Sequence, residues 1–112
     1  MIPIFLFLAV FSIGSAFGCQ NFCVNCTITQ MNPHNTGSTV ISFSSRTGDN
    51  TDACGNVTRV IIDNDDIGSN VLLSIMLSAF MAGKEFGTVR TCGCKDEWGT
   101  NWPKVGWVTI NP

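Results

Sequence analysis

The residues best suited to chemistry in this sequence are concentrated near its C-terminus. In "DEWGTNWPKVGW", Trp98 and Trp102 are interleaved with Thr100, Asn101 and Lys104, and Asp96 and Glu97 precede them. Indole faces pack against the apolar C–H face of a sugar ring, while hydroxyl, amide and ammonium groups bond its hydroxyls. Trp98, Thr100, Asn101, Trp102 and Lys104 are therefore the candidate ligand-binding residues. Packing or subunit contact is the competing use for Trp98 and Trp102. Trp107 is expected in the core.

Catalysis finds little support. His34 is the one histidine, placed in a turn after Pro33, and no Ser or Cys carries an evident base beside it, so no catalytic residue is assigned. Asp63, Asp65 and Asp66 could pair as carboxylates but read more simply as a helix start, because negative charge is favoured at a helix N-terminus. As a calcium loop the same stretch fails: Ile67 stands where an oxygen ligand belongs and Ser74 where the closing Glu should be. "CQNFCVNC" contains a C-x2-C, yet "CGC" is a poor second half for a tetrahedral zinc site. No metal and no cofactor are expected.

Residues 1–18, "MIPIFLFLAVFSIGSAFG", hold an apolar run from Ile4 to Phe11 followed by small residues, the pattern of a cleaved secretory signal peptide. A membrane span would need about 20 apolar residues. The expected mature chain, residues 19–112, is a single domain and carries all six cysteines, Cys19, Cys23, Cys26, Cys54, Cys92 and Cys94. An even count in a small exported domain reads as three disulfides, with the pairing left open. A secreted protein is the expectation. The formal net charge is −2, and the six basic residues are scattered, so nucleic acid is not an expected partner. Two sequons, at Asn25 and Asn56, are potential glycan acceptors in a eukaryotic secretory route.

The elements that must position these residues can be read from period and punctuation. "FCVNCTITQM" alternates Phe22, Val24, Cys26 and Ile28 on one face. "TVISFSS" and "VTRVIID" are further strands, separated by turn-forming and polar stretches. A helix is predicted over residues 71–82, with Asp65, Asp66 and Ser69 as N-terminal capping groups and Gly83 as its left-handed stop. "FGTVRTCG" and "VGWVTIN" are the last strands, with "CKDEWGTNWPK" as the loop between them. The expected fold is mainly β with one helix, β-β-β-α-β-β: a disulfide-stabilised OB-fold, a five-stranded Greek-key barrel. Within the helix only Ser74 and Ser78 are polar. Val71, Ile75, Met76, Ala79 and Ala82 suit the barrel side. That leaves Leu73, Leu77, Phe80 and Met81 as an apolar face for oligomer contacts.

The run "LLSIMLSAFMAGKEFGTVRTCGCKDEWGTNWPKVGWVTI" resembles the B subunits of cholera-toxin-like bacterial AB toxins. It shares a helix ending in Gly-Lys, a strand with Cys, a Trp-bearing loop, a Pro and a final strand. The resemblance implies five OB-folds in a ring, helices around a central pore, and binding of a cell-surface glycan or receptor. Trp98, five residues before Pro103, is the counterpart of the family's sugar-stacking Trp. Gly99, Thr100 and Asn101 replace the polar residues that follow it there. Two other functions fit the same chain: a structural or interaction subunit without a glycan ligand, and a protease-inhibitor-like protein acting through an N-terminal Cys19.

Overall fold

Runs rich in Val, Ile, Phe and Thr form five strands, because branched and aromatic side chains pack well on a pleated surface. They are β1 (Gln20–Pro33), β2 (Thr39–Phe43), β3 (Arg59–Ile62), β4 (Glu85–Glu97) and β5 (Thr100–Ile110), with one helix, α1 (Ser69–Ala82), between β3 and β4. The computed structural model describes residues 19–46, 54–56 and 58–112. The expected signal peptide, residues 1–18, lies outside the described residues.

β1 is the strand that closes the sheet. Its first half pairs with β4, from Gln20↔Thr91 to Thr27↔Glu85, and its second half with β2, from Ile28↔Phe43 to Pro33↔Thr39. β2 runs antiparallel to β3, β3 meets β5 in parallel at Ile61↔Lys104, and β5 returns antiparallel along β4. The order β1-β2-β3-β5-β4 thus closes on itself as a barrel, with the β3–β5 seam paired at Ile61↔Lys104. The barrel interior holds Phe22, Ile28, Ile41, Val60, Phe86 and Val89, with Met76 and Ala79 of α1 closing it.

The simple alternation expected for β1 is broken. Val24 is exposed while Cys23 is buried beside Phe22. The pairing with β4 slips between Asn21 and Cys23, and Asn25 takes a left-handed φ of 52°. An irregularity of this kind resets which side chains face inward. Cys23 and Cys26 therefore both lie in the interior and bond to each other.

The other disulfides are Cys19–Cys92 and Cys54–Cys94. The first ties the start of β1 to β4; the second ties the segment before β3 to β4. At Gly106 an added Cβ would collide with the sulfur of Cys92, so a glycine is what lets the Cys19–Cys92 bridge lie against β5. Three disulfides in a small domain are compatible with an extracellular protein.

The helix departs from the expected orientation. Met76 and Ala79 are buried, and Leu72, Leu73 and Phe80 pack against the core beside them. Val71 and Ile75, expected inside, are exposed, as are Leu77 and Met81; Ala82 is exposed too. At about 100° per residue, the outward side is a ridge of Ser74 and Ser78. Val71, Ile75 and Ala82 flank it on one side, Leu77 and Met81 on the other. Ser74 and Ser78 mark the outward side, but the apolar residues around them carry no such mark, and packing against the barrel decided which of those are buried. Of the residues expected to make oligomer contacts, Leu77 and Met81 face out, whereas Leu73 and Phe80 lean on the core.

The helix ends also divide. Gly83 has φ 66°, and the amide of Lys84 donates to the carbonyl of Ala79 at 2.9 Å, the terminator expected of Gly after a helix. At the other end the cap position is Gly68, with no side-chain capping bond and no acidic residue in the first turn. Asp65 and Asp66 are instead engaged with lysines from β4 and β5, described below.

Candidate aromatic binding site

The stretch expected to be a loop between the last two strands is a continuous hairpin. β4 runs on to Glu97, β5 starts at Thr100, and these two residues pair. Only Trp98 and Gly99 remain in the turn, with φ of 52° and 74°. A two-residue turn with both central φ positive matches the right-handed twist of the flanking strands. Gly adopts this backbone freely, whereas an L side chain pays about 1–2 kcal/mol for it. Trp98 is thus held at a strained tip, and the residue is 45% exposed.

Three aromatic rings meet there. The His34 and Trp98 rings lie 3.9 Å apart between centroids, tilted by 31°. Trp102 stands edge-on to Trp98 at 6.3 Å. Trp102 is fixed by its indole N–H, which donates to the carbonyl of Glu97 at 3.0 Å. His34 belongs to the turn between β1 and β2, so this contact brings the β1–β2 and β4–β5 turns together. One side of the Trp98 indole is covered by His34, and the ring keeps its exposed surface elsewhere.

The β1–β2 turn is itself anchored. Ser38 Oγ donates to Asn64 Oδ1 at 3.0 Å, and Asn64 Nδ2 donates to the carbonyl of Thr36 at 3.1 Å. Gly37, at φ 97°, sits so close that a Cβ would lie 2.6 Å from Asn64 Nδ2. Asn64 thereby holds the turn to the acidic segment after β3.

That acidic segment meets the lysines of the hairpin. Lys95 Nζ lies 3.4 Å from Asp63 and 3.2 Å from Asp65, and Lys104 Nζ lies 3.4 Å from Asp66. Hydrogen bonding to Asp65, with a smaller share from Asp63, holds the Lys95 ammonium above the usual lysine range. Both lysines are therefore already committed to carboxylates.

The five residues singled out in the sequence do not form one cluster. Trp98 and Trp102 meet, as described. Lys104 is drawn to Asp66, on the wall of a separate groove of about 930 Å³ between the start of α1 and β5. Thr100 and Asn101 border a shallow cavity of about 580 Å³ with Gly55 and Asp96, where the Asn101 carbonyl accepts the amide N–H of Asn56 at 2.8 Å. Two aromatic residues were misplaced or passed over. Trp107 is not core: it is 48% exposed, lines the groove, and lies 5.3 Å from the Arg90 guanidinium. His34, set aside as a lone turn residue, is a partner of Trp98. Its position after Pro33 in a turn-forming stretch was the only available signal, and it did not name the residue across from it.

No protein-family model, curated protein or solved structure matches this chain. The likeness to toxin B subunits consequently rests on the quoted residues and their order. Among the described residues no helix is long and apolar enough to cross a membrane.

Proposed function

We propose that this chain is a secreted, non-enzymatic OB-fold module that recognises a sugar of a cell-surface glycan or receptor. The observation that carries the reading is the ring contact between His34 and Trp98, 3.9 Å apart, with Trp102 beside them. It joins the β1–β2 and β4–β5 turns, and OB-folds bind oligosaccharides and oligonucleotides between those same connections. An exposed indole on a strained turn, with a second indole at right angles, supplies an apolar platform for a sugar ring. Scattered basic residues and a net charge of −2 argue for the sugar rather than the nucleic acid.

The module self-associates in this reading. Val71, Ile75, Leu77 and Met81 leave both flanks of the outward helix surface apolar and uncovered, which is the mark of an interaction surface. A ring of five, as in toxin B subunits, is the arrangement the resemblance suggests. The same exposed flanks favour a second reading, in which the chain is a purely structural subunit without a glycan ligand.

One experiment separates the two. The oxidised mature chain is sized by light scattering and then passed over immobilised neutral disaccharides (lactose, maltose and diacetylchitobiose). An oligomer retained by a sugar supports the first reading. An oligomer retained by none supports the second, and a monomer retained by none removes both.

A further inference from the structure

β5 is paired along one side by β4 as far as Ile110, but on its other side β3 reaches it only at Ile61↔Lys104. Past Lys104 no further strand lies on that side among the described residues. Val105–Ile110 is therefore a free sheet edge, whose backbone N–H and C=O groups can pair with another chain. The helix does not fill the space. It makes its main contacts with β1 and β3, and the groove of about 930 Å³ separates its start from β5. An unbroken run of β5, Lys104 to Val108, lines that groove. Side chains alternate between the faces of a strand, so consecutive lining residues mean that the groove follows the strand's edge.

Ile75 also lines a second hollow, of about 440 Å³, which continues past Ala82 and Lys84 to Ile110. The two make one trough, in which α1 and β5 run in the same direction. Their lengths agree. The 14 residues of α1 span about 21 Å at 1.5 Å each, and a strand beside Val105–Ile110 spans about 20 Å at roughly 3.3 Å per residue. Val71 and Ile75, exposed on the helix, give the trough an apolar wall, and the exposed Trp107 lines the opposite one. The ends differ in charge. Asp63, Asp65, Asp66 and Lys104 line the start, whereas Lys84 is the charged residue lining the far end. Even with Lys95 set against Asp63 and Asp65, three carboxylates outnumber two ammonium groups at the start.

We propose that this trough takes an extended segment of a partner protein as an added strand, antiparallel to β5 because that pairing is the stronger. The segment's main chain pairs with the free edge, and apolar side chains at alternate positions pack on Val71 and Ile75. Running opposite to β5, the segment begins at Lys84 and ends at Asp65 and Asp66. It is accordingly acidic at its N-terminal end and basic at its C-terminal end. This surface is separate from Leu77 and Met81 on the other helix flank and from the rings of His34 and Trp98, so it does not rest on the sugar-binding reading.

The test uses the oxidised mature chain and a fluorescein-labelled, end-blocked peptide, Glu-Val-Thr-Val-Thr-Val-Lys, followed by fluorescence anisotropy. Saturable binding is expected, weakened about fivefold when the two charged residues are exchanged, the scale of two exposed ion pairs turned repulsive. Methylating the amide nitrogens of either the valines or the threonines distinguishes edge pairing from simple apolar contact. Only one of these sets faces β5, so one methylated peptide should bind about tenfold more weakly or worse and the other like the parent. Val71→Asp should fold and weaken binding about tenfold, because a charge replaces part of the apolar wall. No saturable binding at millimolar peptide overturns the inference. So does equal binding by the charge-exchanged peptide, or an equal effect of the two methylations. A folded Val71→Asp variant that binds like the parent chain also overturns it. Should Val71→Asp instead turn an oligomer into a monomer while the parent binds no peptide, a second copy fills the trough and the inference falls. Should the variant fail to fold, the methylated pair decides alone. Sugar retention should be untouched by Val71→Asp, so each reading stands or fails on its own measurement.

Discussion

His34 and Trp98 stack at 3.9 Å across a sequence separation that no local rule spans. The contact fastens the turn between β1 and β2 to the turn between β4 and β5. It also explains how a tryptophan is kept at φ 52°, a backbone that L side chains rarely adopt. The ring contacts offset a local cost of about 1–2 kcal/mol.

Trp98→Asn tests what the indole is for. The substitution creates Asn-Gly, the sequence that two-residue turns of this kind favour, so backbone strain is relieved while the ring is lost. We expect an unfolding temperature equal to or above that of the parent chain, together with loss of sugar retention. A fall of several degrees would mean that the ring serves packing instead.

His34→Ala should leave the barrel core intact, since His34 is exposed and outside it. Retention on the same sugar column should weaken several-fold through a less ordered Trp98. The intrinsic tryptophan emission should change because a stacked neighbour is removed. Unaltered emission and retention would show that the contact positions nothing.

On the helix, the two flanks and the inner face should respond differently. If the chain self-associates as proposed, Leu77→Glu or Met81→Glu should yield a folded monomer, read by light scattering alongside circular dichroism. Leu73→Glu or Phe80→Glu should lower the unfolding temperature, because these side chains pack on the core and a charge there is costly. If the first pair left the oligomer unchanged, the association surface lies elsewhere.

The disulfides should contribute unequally. Cys19–Cys92 closes a separation of 73 residues and Cys23–Cys26 one of 3. Chain-entropy scaling gives about 4 kcal/mol for the former and about 2 kcal/mol for the latter. Paired Cys→Ser variants in denaturant titrations should show that order. Gly106→Ala should behave like partial loss of Cys19–Cys92, since its methyl group and the Cys92 sulfur compete for one space.

The Lys95 pairs predict a one-sided alkaline effect. Asp65 and Asp63 raise the Lys95 pKa in the folded state, so the charged form is favoured by folding. The associated stability is fully present below the lysine range of about 10.4 and is lost as the pH rises through the higher folded value. Lys95→Met should flatten the loss of stability on that alkaline limb, measured by urea unfolding at successive pH values. An identical limb in parent and variant would show that the pairs contribute nothing.

The order of elements was legible because it depends on local chemistry. Branched residues at period two marked the strands, and Gly83 marked the helix end. An even cysteine count in a small chain implied three disulfides. Each of these follows from a residue and its near neighbours. Features that depend on distant partners were not legible. Val24 and Cys23 exchanged faces because β1 slips its register against β4, and "CKDEWGTNWPK" became a hairpin because its two halves pair with each other.

The sequence by itself determined a mainly β chain with one helix, and it marked Trp98 and Trp102 as residues worth a ligand. Only the tertiary structure decided which of the apolar helix side chains face the barrel, since Ser74 and Ser78 mark just the outward side and packing sorts the apolar residues around them. It alone turned Trp107 outward, drew Lys104 away to Asp66, and set His34 against Trp98. Those outcomes are fixed by closure of the barrel, which brings together turns that lie far apart along the chain.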